Sequence, residues 1–286
     1  MPISVLIPTK NEAQDLPGCL ASLSWCDDIQ VFDSYSTDAT VALAQAAGAK
    51  VTQRVFDGYA SQKNAALLTL SFKYEWVLLL DADERVPAAL VAEIKHWITL
   101  PPSSVVAVRI RRRDYLLGRW LKHAQISPWY LRMVRPSRVH FEREVNEVLV
   151  PDGDTAEFKE HFDHYPFSKG FAHWIDKHNR YSTMEAQRAL EERRGSVPFS
   201  LRKALIGRDF HERRYHQKGL FFKLPGRPLL KFFYMMIVRR AVLDGRAGLT
   251  YALLQSIYEY FIVVKERELS SSSCTALPLD HSTGKS

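Results

Sequence analysis

Two aspartates separated by one residue, Asp81 and Asp83, are the sharpest chemical feature of the sequence. They follow Trp76–Leu80, a continuous apolar run typical of a strand covered on both faces. Two carboxylates this close repel each other unless a cation lies near them. Their oxygens favour Mg²⁺ or Mn²⁺, which usually bind one or two carboxylates together with substrate phosphate oxygens. The alternative is a solvated loop whose acidic side chains cap the helix beginning near Pro87.

Three further polar clusters follow or neighbour predicted strands. They are Pro8–Glu12 after the first strand, Asp33–Asp38 after the second, and Gln62–Asn64 within a helix. Each cluster alone is typical of ordinary loop or cap chemistry. Ligands of open parallel sheets bind beyond the carboxyl ends of the strands. Four polar clusters at one such edge therefore predict a ligand site.

Several classes of site are missing from the sequence. No G-x-G-x-x-G follows a strand and no G-x-x-x-x-G-K-[ST] occurs, which excludes a dinucleotide fingerprint and a P-loop ATPase. Arg85 stands where an aspartate-nucleophile phosphatase is expected to carry Thr or Val. Three cysteines without metal-ligand spacing favour a reducing compartment, and no signal peptide is predicted at the start of the chain.

The elements that must position these clusters alternate between strand and helix. Strands are predicted over Ser4–Pro8, Ile29–Asp33, Lys50–Val55 and Trp76–Leu80, with helices over Leu16–Leu23, Ala39–Ala47 and Tyr59–Leu70. Helical crossovers of this length imply a mainly parallel sheet. The sequence therefore predicts an α/β domain of the nucleotide-binding type.

The rear of the chain is basic and apolar. Residues 202–246 carry 12 Lys and Arg against 3 acidic residues, within a chain of net charge +7. Two apolar stretches, Pro228–Leu243 and Leu249–Val264, are interrupted by charges, so neither is expected to span a membrane. A solvated helix face over an apolar core would explain the pattern. We favour an interfacial region on an anionic bilayer, in which basic side chains line the surface: Lys223, Arg227, Lys231, Arg239 and Arg240.

In these residues the chain resembles glycosyltransferase family 2, and most of all its branch of lipopolysaccharide core β-glucosyltransferases. The stretches that carry the resemblance are SVLIPTKNEAQDLPGCLASL, VFDSYSTDAT, GYASQKNAAL, WVLLLDADERV, VHFEREVNEVL and the block from Arg227 to Tyr260. The resemblance covers about residues 2–268. It implies a GT-A-like, mainly parallel sheet with flanking helices, followed by C-terminal amphipathic helices.

The resemblance also implies a role for individual residues. Pro8, Thr9, Asn11 and Glu12 would line the nucleotide pocket, and Asp33 would meet the base. Lys63 would reach the diphosphate, Asp81 would lie near the ribose, and Asp83 would bind the metal, Mg²⁺ or Mn²⁺.

Glu147 is the candidate general base, and it follows Asn146 where such relatives commonly carry His. Glu144 and Glu142 are the alternatives, and an exposed hairpin edge would equally explain this acidic trio. A base that accepts the acceptor proton in a single displacement would invert the anomeric configuration.

The resulting prediction is an inverting, metal-dependent glycosyltransferase. Its partners would be a nucleotide-sugar donor, most simply a UDP-sugar, a lipopolysaccharide or other lipid-linked glycan acceptor, and an anionic membrane surface, but no nucleic acid. It would be cytoplasmic and peripheral on the inner face of the cytoplasmic membrane.

The alternatives are a phosphate-ester hydrolase using Asp81 and Asp83, and a non-catalytic basic protein that binds membranes or nucleic acid. The predicted division is a catalytic domain over 1–200, a membrane-association region over 201–268 and a disordered tail over 269–286.

Overall fold

The computed structural model describes residues 1–142, 147–194 and 226–274. The chain divides into two compact units, Met1–Gly170 and Phe171–Ser286. The boundary predicted at residue 200 lies outside the described residues, and the predicted domain division stays a prediction.

The first unit is an α/β fold built on one mixed sheet. Its strands are β1 (Ser4–Thr9), β2 (Ile29–Asp33), β3 (Lys50–Gln53), β4 (Val77–Leu79), β5 (Glu84–Arg85), β6 (Val105–Leu116), β7 (Arg119–Trp120), β8 (Tyr130–Val134), β9 (Val139–Glu142), β10 (Val148–Pro151) and β11 (Asp154–His164). Its helices are α1 (Leu16–Ala21), α2 (Thr40–Ala46), α3 (Tyr59–Thr69) and α4 (Ala88–Trp97). The predicted order of the first four strands and three helices is confirmed, with ends shifted by a few residues.

The strands are ordered β3-β2-β1-β4-β8-β6-β11-β5, with β7 paired to β6 and a separate β9–β10 hairpin. The first four strands are parallel, as predicted. Strand β8 is antiparallel to both β4 and β6, and β11 runs parallel to β6. The carboxyl ends of β1, β2, β4, β6 and β11 therefore lie at one edge of the sheet.

Apolar layers cover both faces of the central strands. Val5 and Ile7 of β1 pack on one face in a core shared with α1 and α4, while Leu6 packs on the other face with Ala66 and Leu67 of α3. Because the two faces alternate along β1 and both are covered, the strand is apolar at nearly every position. The sequence predicts a strand over Val105–Ile110, and β6 continues to Leu116 because it pairs with β11 as far as Asp114 and with β7 at Tyr115 and Leu116.

The second unit is helical in its described residues. It contains α5 (Gly170–Arg194), α6 (Arg227–Phe233), a π turn (Tyr234–Val238), a 3₁₀ turn (Ala241–Asp244) and α7 (Gly245–Cys274). Gly248 lets α7 approach the 3₁₀ turn, because a Cβ there would lie 1.9 Å from the carbonyl oxygen of Ala241. Helix α7 runs past residue 269, where the disordered tail was expected to begin, and residues 275–286 lie outside the described part of the chain.

Two expectations for this unit need correction. Arg227 does not line a surface, since it is buried between two glutamates of α7. The second apolar stretch, Leu249–Val264, was expected to be too interrupted by charge to span a membrane, and it lies within a longer helix that begins at Gly245. Among the described residues, Ala241–Ser271 is long and apolar enough to cross a membrane by length and composition alone. Lys223 lies outside the described residues.

Candidate active site

One buried carboxylate joins the carboxyl ends of β1, β2 and β3. Asp33 is fully buried, and one of its oxygens accepts hydrogen bonds from the hydroxyls of Thr9 (2.9 Å) and Ser36. The other accepts from the backbone N–H of Ser36 (2.8 Å) and the side-chain amide of Gln53 (2.9 Å). Burial raises the pKa of Asp33, but these donors outweigh burial and hold the pKa below its ordinary value. Asp33 is thus an anion whose two oxygens are both satisfied within the protein.

The loop after β1 interlocks with the loop after β2. Asn11 adopts a left-handed backbone (φ 56°), which Asn tolerates better than most residues. Its side-chain oxygen accepts from the N–H of Thr37, and its own N–H donates to the hydroxyl of Ser36, both at 2.8 Å. Next to it, Glu12 lies 2.7 Å from the ammonium of Lys169. Burial raises the pKa of Glu12, and Lys169 offsets only part of that rise.

The segment after β4 is organised by an arginine from β8. One guanidinium nitrogen of Arg132 lies 2.9 Å from Oδ2 of Asp81 and 2.8 Å from Oε1 of Glu84. Burial raises the pKa of both acids. For Asp81 the charges of Arg132 and Lys63 outweigh burial and lower its pKa. For Glu84 burial, together with the charge of Asp81, outweighs Arg132, and its pKa is raised.

A histidine at the end of β11 faces the second aspartate. His164 Nε2 lies 3.3 Å from Oδ2 of Asp83, and its Nδ1 is bonded to the carboxylate of Asp114 on β6. Burial lowers the pKa of His164, but its two carboxylate partners outweigh burial and raise it to about 9. At neutral pH the free site therefore holds an imidazolium between two carboxylates.

Helix α3 connects the sheet to the β9–β10 hairpin. The ammonium of Lys63 lies 2.7 Å from Oε1 of Glu147 and 5.2 Å from the centre of the Phe141 ring. The next residue, Asn64, binds the backbone of Phe141 twice: its amide donates to the carbonyl (2.8 Å), and its oxygen accepts from the N–H (2.7 Å). These contacts hold Lys63 and Glu147 against each other.

These groups meet in a cavity of about 390 Å³, within the usual range for small-molecule sites. The cavity is lined by Leu6, Pro8, Lys63, Leu79, Leu80, Asp81, Arg112, Tyr130, Leu131, Arg132, Phe141, Glu147 and Leu149. The lining of the cavity therefore combines apolar side chains with basic and acidic groups that come from four parts of the fold.

The structure thus brings together part of the predicted set. Pro8, Lys63, Asp81 and Glu147 line the cavity, whereas Thr9, Asn11, Glu12, Asp33 and Asp83 do not. Glu142, one alternative base, is exposed on β9 and lies 3.1 Å from His140. Glu144, the other alternative, lies outside the described residues.

Sequence reasoning missed Arg132, His164 and Asp114. Arg132 and His164 lie on strands that were not delimited from the sequence, and Asp114 lies on β6 beyond its predicted end at Ile110. His164 is bonded to Asp114, 50 residues earlier. A signal was nevertheless present: His164 ends a strand that runs parallel to β6, as Asp33 ends β2 at the same edge. Identifying strand β11 would have placed His164 there.

Asp83, the predicted metal ligand, lies beside His164, and these two side chains are the candidates to hold a divalent cation among the described residues. The described residues contain no group of three or more His, Cys, Asp or Glu side chains with metal-binding geometry. The donor set nevertheless fits Mg²⁺ or Mn²⁺, because such ions take few protein ligands and complete their shell with phosphate oxygens and water. Asp114 behind His164 forms the carboxylate–histidine arrangement common behind metal-binding imidazoles.

The chain is similar in sequence to known glycosyltransferases. A lipopolysaccharide core biosynthesis glycosyltransferase, LpsC, of Rhizobium meliloti (strain 1021) is 30% identical over 233 residues, which are 77% of this chain and 83% of that protein. An uncharacterized glycosyltransferase of Rickettsia bellii (strain RML369-C) is 40% identical over 95 residues, which are 33% of this chain and 32% of that protein.

The fold has a counterpart among solved structures. A mannosyltransferase of Pyrobaculum calidifontis, solved in complex with GDP-Man and Mn²⁺, superimposes with a TM-score of 0.52 at 18% identity, covering 93% of this chain and 87% of that one. This similarity confirms the predicted GT-A-like fold. The family model for Glycosyl transferase family 2 matches residues 4–165, which hold every element of the cavity. The chain therefore belongs to glycosyl transferase family 2.

Proposed function

We propose that this glycosyltransferase moves a sugar from a nucleoside diphosphate sugar to a hydroxyl of a lipopolysaccharide-core or other lipid-linked glycan. The observation that carries the proposal is the cavity in which Lys63, Arg132, Asp81 and Glu147 converge. Two cations suit a diphosphate, and an accessible carboxylate suits a hydroxyl that must lose a proton. The acceptor class rests on the similarity to LpsC.

Lys63 and Arg132 are the proposed diphosphate ligands. Their positive charges would stabilise the negative charge that builds up on the leaving nucleoside diphosphate. Arg132 is held by Asp81 and Glu84, so its guanidinium is positioned before the donor arrives. Pro8, Thr9, Asn11, Glu12 and Asp33 belong to the proposed nucleotide end of the site, and a UDP-sugar is the first donor to test.

Asp83 and His164 are the proposed ligands of Mg²⁺ or Mn²⁺. When bound, such an ion would act as a Lewis acid and neutralise negative charge on the diphosphate. Asp114 would keep the His164 ring oriented with Nε2 toward the ion. His164 must lose its proton to become a ligand.

Glu147 is the proposed general base. It would accept the proton of the acceptor hydroxyl while that oxygen attacks the anomeric carbon from the side opposite the leaving group. Asp81 is the other predicted carboxylate lining the cavity. The charges of Arg132 and Lys63 outweigh burial and lower its pKa, which makes its carboxylate a weak nucleophile. A single displacement, with inversion, therefore fits these side chains better than a double displacement.

The phosphate-ester hydrolase alternative has lost its support. The match to the model of Glycosyl transferase family 2 and the similarity to LpsC both favour glycosyl transfer over ester hydrolysis. The enzyme is proposed to act in the cytoplasm, peripherally on the inner face of the cytoplasmic membrane.

The test has two steps. Thermal shift with a panel of sugar nucleotides, each with and without Mn²⁺, should identify one donor whose stabilisation depends on the ion. NMR of the product from that donor and a lipid-linked core glycan should then show an inverted anomeric configuration. Stabilisation by no sugar nucleotide would overturn the proposed donor class, ion-independent stabilisation would overturn the proposed metal, and retained configuration would overturn the single displacement.

A further inference from the structure

The second unit exposes many large apolar side chains. From α6 through the 3₁₀ turn, large apolar or aromatic side chains are exposed at eight positions, less than half at Leu230 and Tyr234. The six that are more than half exposed are Leu229, Phe233, Ile237, Val238, Val242 and Leu243. Ile237 is 69% exposed and Leu229 is 66% exposed. Leu229, Phe233 and Ile237 are spaced by four residues, which places them on one side of the helical segment. We call these six residues the apolar face.

Helix α7 carries a second exposed apolar row. Leu249, Leu253, Ile257, Tyr260 and Val264 recur every three or four residues and are all exposed. This spacing forms a stripe along one side of the helix. Monomeric soluble proteins rarely expose apolar surface on this scale without a partner.

The charge of the segment from Arg227 to Arg246 indicates the kind of partner that would bind these apolar side chains. Between Arg227 and Arg246 the only acidic residue is Asp244, and it is buried, with an exposure of 2%. Arg227 is buried as well. The charged side chains that this segment presents to solvent are therefore basic: Lys231, Arg239, Arg240 and Arg246.

We infer that the segment Arg227–Arg246 docks on an anionic lipid bilayer, with the apolar face inserted at the headgroup level and the four basic side chains on lipid phosphates. Apolar side chains interleaved with accessible Lys and Arg, and with the acidic residue buried, are the pattern of an interfacial helix. A second copy of the chain would bring the same basic surfaces together, which argues against self-association. The inference concerns the second unit alone and does not depend on the proposed transfer chemistry.

Internal packing favours docking over spanning. Glu259 lies near the middle of the apolar helix and forms an ion pair with Arg227 of α6 (3.3 Å), which also pairs with Glu266 (3.2 Å). The hydroxyl of Ser256 donates to the carbonyl of Pro228 at 2.6 Å. Insertion of α7 across a bilayer would carry these charges into hydrocarbon or break their pairs, and both are costly.

Vesicle sedimentation with the full chain tests the inference. Wild-type protein should bind vesicles of phosphatidylcholine with phosphatidylglycerol, bind pure phosphatidylcholine weakly, and be released by high salt, which screens these charges. Changing Lys231, Arg240 and Arg246 to Gln together should lower binding to the anionic vesicles by on the order of 100-fold. Ile237→Asp should lower it as well, because a carboxylate would enter the interface.

A matched control removes the same charge elsewhere. Lys159, Lys177 and Arg180 are exposed residues outside the segment, and changing all three to Gln should leave vesicle binding close to wild type. Circular dichroism should show that every variant is folded. Equal losses in both triple variants would mean that net charge alone drives binding, and would overturn the assignment to this segment.

Three other outcomes would overturn the inference. Wild-type protein that binds no vesicle has no bilayer-docking surface. Protein that resists extraction by alkaline carbonate has a spanning helix. A lipid-free dimer that Ile237→Asp dissociates would show that a second copy covers the apolar face.

Discussion

At the scale of single residues, the site is a set of charges that neutralise one another before any ligand arrives. Lys63 pairs with Glu147, Arg132 with Asp81 and Glu84, and His164 with Asp83. A donor diphosphate would compete with Glu147 for the ammonium of Lys63. Under the proposed roles, donor binding would free the base for the acceptor hydroxyl, so base strength and donor binding are linked through one contact.

Changing Glu147 to Gln tests the base. Gln keeps the size of the side chain and cannot accept the proton, so turnover should fall by roughly 10²–10⁴-fold. Donor affinity, measured by calorimetry, should not weaken, because Lys63 loses a competing carboxylate. Glu142→Gln is the control, since Glu142 is exposed, and it should keep wild-type turnover. Full turnover in Glu147→Gln with loss in Glu144→Gln would move the base three residues earlier.

Asp33 predicts a pH-dependent contribution to stability. Asp33→Asn should lower the free energy of unfolding by about 1–3 kcal/mol near neutral pH, because buried donors lose a charged acceptor. The folded pKa of Asp33 lies below its unfolded value, so this stabilisation is present above about pH 4 and is lost as pH falls through the folded pKa.

Urea unfolding of wild type and Asp33→Asn at several pH values measures the effect. The two curves should converge as pH falls below about 4. Asp57→Asn is the comparison, because Asp57 pairs with Arg54 at the surface and should contribute little. A gap between wild type and Asp33→Asn that persists at low pH would show that Asp33 stabilises the fold without its charge.

At the scale of elements, α3 and the β9–β10 hairpin act together. Asn64→Ala removes both side-chain bonds to the backbone of Phe141 and should cost about 1–3 kcal/mol if those groups stay unpaired. Hydrogen exchange at the Phe141 amide should accelerate, and turnover should fall because Glu147 is no longer held beside Lys63. Thr69→Ala on the same helix loses only a bond to the backbone one turn earlier and should change neither. An unchanged rate of amide hydrogen exchange at Phe141 in Asn64→Ala would contradict the inference that Asn64 holds the β9–β10 hairpin against α3.

The elements that could be predicted from the sequence are those whose signals lie close together in the chain. Strand β2 and the Ala-rich α2 were predicted because their apolar periodicity and flanking turn residues are adjacent in the chain. Gly48, with φ +81°, ends α2 as its position suggested. The region of β8 was predicted only as strand and loop, and β11 was not predicted, because the register of both strands depends on pairing with distant strands. Arg132 and His164, which lie on these strands, were therefore not identified.

At the scale of the whole molecule, the sequence gives the net charge, but the structure is needed to show which charged side chains are buried and which are exposed. Arg227 and Arg246 both belong to the basic rear of a chain of net charge +7. One is buried against Glu259 and Glu266 from α7, and the other is exposed. No local pattern separates the two, because the partners of Arg227 lie more than 30 residues later in the chain.

The buried position of Arg227 leads to a stability prediction for the second unit. Arg227→Met keeps side-chain volume but leaves Glu259 and Glu266 buried without their counter-charge, so unfolding should become easier by about 3–5 kcal/mol. Arg246→Met removes the same charge from the surface and should shift stability by less than about 0.5 kcal/mol. Replacing Arg227, Glu259 and Glu266 together by Met should restore most of the loss, because no buried charge is then left unpaired. Chemical denaturation followed by circular dichroism measures all three. A triple variant as unstable as Arg227→Met would mean that packing around the guanidinium, and not its charge, holds α6 against α7.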